Sequence, residues 1–462
     1  MKSWARTMNK ASCNERQSAA EILLRVFREG AYSSIALQQA FREYPQWEER
    51  SRKLITNLVY TVLANDLRIE AMINLYSRTP LRRMKPYVAV VLMISTAQLL
   101  WMDKIPPSAV VNEAVKLILA SPYKNLSGFV NAVLRSMLRG SLRESWPEAG
   151  EDLLAHLSVR YSLPRWILEV WEKAYGIETV KKLARNLTAP RGLSIRCNTL
   201  KITPAELEKL LVNRFGAEHV SRGRCCPEAF VLRSAGDAVS CPEFRQGLFT
   251  VQDESSMLCA YAMAPQPGER ILDLCAAPGG KSSHLVQKME NRGVVAARDL
   301  HPHKIRLMEQ TVLRLGLTAM YPEQGDAFVM KDQDREAWDR VLLDAPCSGL
   351  GILRTKPDLK LHRTEKDLAE LGDLQKKLLK TAAECVKPGG TLVYSTCTIN
   401  PGENEENVSW FLENFPQFQA HSLEKLLPEE FPREQIHPQY TIIFPEIHNF
   451  DGFFLARFDK TR

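Results

Sequence analysis

The 462-residue chain lacks most of the features that would tie it to a membrane, a disulfide framework or a metal. No apolar stretch reaches the ~20 residues of a bilayer-spanning helix. The longest, Tyr87 to Met102, is interrupted by Ser95, Thr96 and Gln98 and reads as a buried helix. The N-terminus has no apolar core of the kind a secretory signal needs. Ten cysteines are scattered without a CxxC pair, which predicts reduced thiols in a soluble, cytoplasmic protein. Cys225, Cys226 and Cys241 form a loose cluster, but adjacent cysteines chelate poorly and no metal is expected. Two nucleotide signatures are also missing. There is no GxGxxG, and five positions before Gly280, where a P-loop requires glycine, stands Cys275.

What is present is an ordinary globular composition, 45% hydrophobic and 25% charged, with a net charge of +7. The length predicts more than one domain, because single cores stop growing near ~250–300 residues. The positive charge is concentrated: residues 1–150 carry roughly 21 Lys and Arg against roughly 12 Asp and Glu. That asymmetry fits an RNA-binding appendage, and also a merely soluble basic domain.

Residues 1–13 read as a loose tail. From Asn14 a helical period begins, with Ala19, Leu23, Val26 and Phe27 on one face and Gly30 as a stop. Further helices are expected near 48–76, 84–101, 107–120 and 127–139. Pro107 suits a first turn, Ser127 an N-cap and Gly140 a helix end. Residues 1–145 therefore predict an all-α domain. Arg78, Arg82, Arg83 and Lys85 crowd one loop of it, either a solvated turn or an RNA-phosphate contact. The segment Phe129 to Arg135 resembles the helical RNA-binding fold of the NusB family.

Trp146 to Gly150 reads as a linker, and residues 146–246 as two helices ending before Pro190 plus a small α+β, ferredoxin-like domain. Leu193 to Thr199 alternates as a strand, Thr203-Pro-Ala-Glu206 has capping-box spacing, and 229–233 is a second strand. Strands and helices then alternate over 247–462, the pattern of a doubly wound, Rossmann-like α/β domain. Strands are expected near 270–275, 293–298, 339–344, 391–395 and 453–458. Helices are expected near 253–264, 280–290, 302–316, 367–386 and 404–414.

The chemistry gathers where these strands end. The first runs into Cys275-Ala276-Ala277-Pro278-Gly279-Gly280-Lys281, a small-residue loop that lets backbone lie against a ligand at a helix N-terminus. Asp299 follows nineteen residues after Gly280, the usual place for an acid that binds ribose hydroxyls, and Asp326 ends the next candidate strand. A ribose acid without phosphate-binding glycines suits S-adenosyl-L-methionine. Two further strands end in thiols, Asp344-Ala-Pro-Cys347-Ser-Gly349 and Tyr394-Ser-Thr-Cys397-Thr398. Transfer to a nitrogen needs no thiol. Carbon-5 of a pyrimidine is too weak a nucleophile unless a thiolate first adds at C6, which is covalent catalysis. Asp344 is placed to engage N3 and the exocyclic amine of cytosine, once the base is exposed or flipped. Spacing alone does not rank Cys347 and Cys397.

The other candidates read as structural. Cys259, Cys275 and Cys385 are expected as buried small hydrophobes. His284, His301 and His303 are expected on helix surfaces or loops, and Glu403 to Glu406 as an acidic helix start.

Four segments (Leu274 to Lys281, Asp344 to Gly349, Tyr394 to Thr398, and Asn449-Phe-Asp-Gly-Phe-Phe454) resemble the RNA cytosine-5 methyltransferase family, and the resemblance extends over about 15–460. It implies a 5-methylcytosine-forming enzyme acting on 16S ribosomal RNA of the small subunit, as a monomer without metal or membrane. It also implies that Cys397 is the attacking thiol and Cys347 assists product release. Cofactor contacts would fall on Cys275 to Lys281, Asp299, Asp326 and Asp344. Arg298 departs from the family pattern, being charged where an apolar strand residue is usual. The rival readings are the same chemistry on tRNA or 23S RNA, or a non-catalytic RNA-binding assembly or antitermination factor.

Overall fold

The computed structural model describes residues 14–140, 152–189, 191–233, 238–445 and 450–462. The expected tail at 1–13, the linker at Trp146–Gly150, Pro190 and the motif residue Asn449 lie outside the described residues. The chain divides into two compact units. One comprises the residues up to Thr188 together with Leu353–Arg363, the other Ala189–Ile352 and Thr364–Arg462.

The first unit is helical: α1 (Glu15–Glu29), α2 (Ser33–Glu43), α3 (Glu49–Ala64), α4 (Asp66–Tyr76), α5 (Pro86–Trp101), α6 (Pro107–Leu119), α7 (Ser127–Arg139), α8 (Leu153–Tyr161) and α9 (Arg165–Asn186). The Asn14 side chain caps α1 through the Gln17 N–H at 2.8 Å, and Gly30 ends it at φ 66°. The single helix expected over 48–76 is two, broken at Asn65, whose ψ of 22° leaves the helical range. Helix α2 escapes the apolar pattern. Ser127 is the first residue of α7 and makes no cap bond.

The apolar run forms α5, buried nearly all round. Its three polar residues all have partners, Thr96 through a 3.7 Å hydrogen bond from its Oγ1 to Met137 Sδ. Ser95 Oγ donates to the Val91 carbonyl at 2.7 Å, Gln98 Nε2 to the Ile94 carbonyl at 3.1 Å, and Arg16 Nε to Gln98 Oε1 at 2.8 Å. Burial of such groups is tolerable because none is left without a partner. Among the described residues, no helix is long and apolar enough to cross a membrane.

Leu353–Arg363 joins this unit through two charged anchors. Asp358 Oδ2 accepts the Ser33 N–H at 2.8 Å, capping a helix whose own N-cap, Tyr32, cannot do so. Lys360 Nζ lies 2.6 Å from Asp66 Oδ1 and also donates to the Ser162 carbonyl.

The second unit carries two sheets. The small one is built from β1 (Leu193–Cys197), β2 (Val220–Arg222), β3 (Ala229–Leu232) and β4 (Phe249–Val251), with α10 (Pro204–Phe215) and the short α11 (Pro242–Arg245). Its order is β2-β3-β1-β4, antiparallel throughout. The Thr203–Glu206 capping box forms as its spacing predicts.

The large sheet alternates with helices: α12 (Glu254–Met263), β5 (Arg270–Asp273), α13 (Gly280–Lys288), β6 (Val294–Asp299), α14 (Pro302–Leu315), β7 (Met320–Gln324), β8 (Trp338–Asp344), α15 (Glu365–Cys385), β9 (Val386–Thr396), α16 (Glu405–Asn414), β10 (Phe418–Ala420), β11 (Thr441–Ile443) and β12 (Phe453–Lys460). The order is β10-β12-β9-β8-β5-β6-β7, with β11 on β12. Strands β7 to β9 with β5 and β6 are parallel, and β12 runs antiparallel to β9. Apolar side chains of β5, β6, β8 and β9 are buried on both faces, as a helix-covered parallel sheet requires. Five parallel strands thus present their carboxyl ends along one edge, where open sheets bind ligands.

Candidate active site

At that edge β8 delivers Asp344 directly opposite Ser395 of β9, whose hydroxyl donates to Asp344 Oδ1 at 2.8 Å. Three residues beyond Asp344 lies Cys347, and two beyond Ser395 lies Cys397. Their sulfurs stand 3.3 Å apart, and both residues are half-buried. The Cys347 thiol is pushed well above its usual pKa by the hydrogen bond with Cys397 and by burial, so Cys347 is held protonated.

The loops bearing the thiols are fixed to each other. Ser348 Oγ and Thr398 Oγ1 share a 2.7 Å hydrogen bond, and the Gly351 N–H donates to the Cys397 carbonyl at 3.1 Å. The Gly452 N–H reaches the Gly351 carbonyl at 2.8 Å; a Cβ on Gly351 would stand 2.2 Å from the Gly452 oxygen, so this close approach requires glycine.

Beneath them lies Glu403, wholly buried. Its carboxylate accepts the Ser348 N–H at 2.8 Å, Gln375 Nε2 at 2.9 Å, Asn400 Nδ2 at 2.9 Å and the Ser348 hydroxyl. The acidic helix start expected at Glu403 is therefore corrected: it precedes α16 and faces inward as an acceptor hub. Sequence reasoning missed it because an acid before a helix carries the same local signal whether solvated or buried. Ser348, Thr398 and Gln375 were missed with it.

The β5–α13 loop lies alongside. Ala276 to Gly280 are small residues, and Gly279 adopts φ 96°. Lys281 extends from the first turn of α13, its ammonium 2.7 Å from Asp344 Oδ2 and 4.9 Å from the Phe453 ring centroid. Burial works against the Lys281 charge, and the Asp344 carboxylate more than offsets it, so its pKa lies above the usual value. Two residues expected separately in one site are thus a bonded pair. Asp273, at the end of β5, has Oδ2 bonded to Ser282 Oγ at 2.6 Å, and burial pushes its carboxyl up to about 7.

Asp299 ends β6, accepting the His301 N–H at 3.2 Å with Lys304 Nζ at 3.3 Å. Asp326 follows β7, exposed, with Oδ1 accepting the Phe328 N–H at 2.9 Å. Arg298, the departure from the family pattern, is buried and compensated. Asp334 holds it at 2.9 Å and Glu323 at 2.7 Å, while Trp338 Nε1 donates to Asp334 at 3.1 Å. Its charge is spent within the fold, leaving Asp299 at the edge.

Two expectations outside the edge need correction or comment. His284 is not on a surface but buried in α13, with Nε2 2.7 Å from Glu228 Oε1. Burial and the Arg196 charge pull its pKa down to about 3, which keeps the ring neutral. Cys225 and Cys226 are buried, their N–H groups taken by Glu254 Oε1 at 2.6 and 2.7 Å. His301 and His303 are exposed, as expected. Arg78, Arg82, Arg83 and Lys85 belong to the helical unit, all exposed on one loop, with Arg82 paired to Glu70 at 2.6 Å.

Arg196 of β1 was also missed. It is wholly buried, donating to the Gly280 carbonyl and to Ser283 Oγ, each at 2.9 Å, and so fastens the small sheet to the start of α13.

Comparison with known proteins decides the family. Residues 260–459 match the model for 16S rRNA methyltransferase RsmB/F, 13–139 that for the NusB family, and 163–238 that for a RsmF/B-like ferredoxin-like domain. The chain is 37% identical over 449 residues to the probable ribosomal RNA small subunit methyltransferase B of Bacillus subtilis (strain 168), covering 96% of this chain and 98% of that one. The chain belongs to the ribosomal RNA small subunit methyltransferase B family. The Klebsiella pneumoniae (strain 342) member is 32% identical, over 98% of this chain and 100% of that one. Among solved structures, PH0851 is 26% identical with a TM-score of 0.79, covering 98% of this chain and 100% of its own. A methyltransferase homolog from Pyrococcus horikoshii is 32% identical with a TM-score of 0.56, over 66% and 98%.

Family membership agrees with the fold expected from sequence, a NusB-like helical region, a ferredoxin-like sheet and a methyltransferase sheet. It agrees equally with S-adenosylmethionine as the cofactor. The residues present fit that group: a small-residue loop at a helix start, with Asp299, Asp326 and Asp344 along one edge, suits a nucleoside with a cationic tail.

Proposed function

We propose that this protein forms 5-methylcytosine in 16S ribosomal RNA. The observation that carries the reading is the 3.3 Å pair of Cys347 and Cys397 beside Asp344 at one sheet edge. A binding module has no use for two thiols so placed, whereas a reaction that makes and then breaks a carbon–sulfur bond uses both.

Cys397 is the attacking thiol. The two sulfurs share a hydrogen bond, and in the reacting arrangement the proton sits on Cys347 while the Cys397 sulfur attacks. As that sulfur bonds to C6 of the flipped cytosine, electron density moves onto C5, and Asp344 holds a proton at N3 and accepts from the exocyclic amine. Lys281 and Ser395 fix the Asp344 carboxylate for this contact. S-adenosylmethionine, held by Cys275 to Lys281, Asp299, Asp326 and Asp344, supplies the methyl group when bound. A base in the site then takes the C5 proton, its C–H electron pair re-forms the C5–C6 double bond, and the Cys397 sulfur leaves as the thiolate. The Cys347 thiol, still protonated, stabilises that departing sulfur. The basic loop Arg78 to Lys85 is assigned to RNA phosphate.

Bisulfite mapping of ribosomal RNA from cells with and without the gene tests the reading. It predicts one lost 16S signal. A lost tRNA or 23S signal would move the substrate, and no lost signal would contradict the reaction.

A further inference from the structure

A cavity of about 230 Å³ opens on the small sheet of the second unit, with Arg191, Arg222, Arg224 and Arg233 in its wall beside Asp253 and Glu254. The two carboxylates are turned to donors of the fold. Glu254 accepts the N–H groups of Arg224, Cys225 and Cys226 at 3.0, 2.6 and 2.7 Å. Asp253 accepts the Ser255 N–H at 3.1 Å, the Asp451 N–H at 3.1 Å, and Arg191. Arg191 is paired with Asp253 and Asp451, and Arg222 with Glu208, while Arg224 and Arg233 complete the basic side of the wall. Arg222 is held in place, with Nη2 2.8 Å from Glu208 Oε2 and its guanidinium 4.6 Å from the Phe230 ring centroid. The guanidinium forks of Arg224 and Arg233 match the paired oxygens of a phosphate.

The cavity also borders the reactive edge. Phe450 is in its wall. Two residues on, about 7–8 Å of chain at most, the Gly452 N–H bonds Gly351, which in turn bonds the Cys397 carbonyl. One strand of RNA can occupy both places.

We propose that this arginine-lined cavity binds a backbone phosphodiester of the RNA strand that carries the target base, beside the reacting nucleotide. The assignment rests on the reading that the substrate is RNA. It adds a phosphate site on the ferredoxin-like sheet to the helical loop at Arg78 to Lys85, and it sits where the strand must be held while one base leaves the stack.

The test is equilibrium binding of deproteinised small-subunit ribosomal RNA to the full chain over a series of salt concentrations. Arg233→Glu and Arg224→Glu are compared with Arg292→Glu, at the opposite, amino end of β6 and paired to Glu290. Each cavity variant is expected to weaken binding roughly tenfold, equally across RNA sequences, and to flatten the plot of log affinity against log salt by about one phosphate contact. Arg292→Glu leaves the slope unchanged, and S-adenosylmethionine affinity stays at the wild-type value in all three. Should either cavity variant lose S-adenosylmethionine affinity, the corresponding Gln variant replaces it and is expected to flatten the slope in the same way. Wild-type slopes in both cavity variants overturn the proposal while leaving the RNA reading intact. Wild-type protein that shows no salt-dependent binding of this RNA overturns the RNA reading itself.

Discussion

Ser348 and Thr398, the residues that follow the two edge cysteines, share a hydrogen bond of 2.7 Å. It joins the β8 and β9 loops beside the sulfurs, which stand 3.3 Å apart. Preorganisation of this kind matters because a thiol misplaced by about 1 Å can lose a hundredfold in rate.

Glu403 anchors that arrangement from below. Glu403→Gln keeps the volume but replaces a charged acceptor of four donors by an amide that can accept at one oxygen only. Hydrogen bonds to a buried charge contribute about 1.5–3 kcal/mol. The turnover of methyl transfer should fall roughly ten- to a hundredfold, with S-adenosylmethionine affinity unchanged. Single-turnover kinetics with cofactor titration separates the two. A parallel loss of cofactor affinity would mean that Glu403 supports the whole sheet edge instead.

The Asp273 carboxyl gives a pH signature. Burial pushes it up to about 7 in the folded chain, against about 3.9 in an unfolded one. Between those values the folded state holds the extra proton, so this group's contribution to stability declines as pH rises from about 4 to about 7. Asp273→Asn removes the ionisation. Urea unfolding without cofactor should show the variant gaining on wild type from about pH 4 to about pH 7 and levelling off above that. A difference that does not change with pH would show that Asp273 is charged in the fold.

In the helical unit, Lys360 and Asp66 are a buried ion pair at 2.6 Å. Lys360→Met leaves the buried Asp66 carboxylate without its cation, with the Ser162 hydroxyl donating to Oδ1 at 2.8 Å. Removing one partner of such a pair typically costs about 3–5 kcal/mol. Chemical denaturation should show a loss of that order. The Asp66→Leu, Lys360→Met double variant should recover most of it, because apolar replacement of both partners removes the unpaired charge. A double variant as unstable as the single one would point to lost packing instead.

The reactive edge was legible where local pattern and function coincide. Val341 to Leu343 is an apolar run that stops at Asp344, and Thr391 to Thr396 stops at Cys397, so strand ends and chemistry were read together. Parallel pairing then sets Asp344 opposite Ser395. What could not be read depends on burial or long-range partners. Glu403 has the local signature of a solvated helix start. His284 lies in a helix of mixed polarity, and only Glu228 explains its burial. Lys281 was placed at the cofactor loop, yet its bond to Asp344 spans 63 positions. The run Leu353–Arg363 lies in sequence between motifs of the large sheet but packs in the helical unit, through charges that read as surface residues. The break at Asn65 was hidden because the apolar period of α3 continues into α4.

The division of labour between the two thiols is the centre of the account. It is tested most directly by incubating Cys347→Ala and Cys397→Ala with ribosomal RNA and S-adenosylmethionine, followed by denaturing electrophoresis. Cys347→Ala should accumulate a shifted, denaturation-resistant protein–RNA band. Cys397→Ala should give neither that band nor methylated RNA while still binding the cofactor. Near wild-type methylation by Cys397→Ala, or a covalent band in that variant alone, would contradict it.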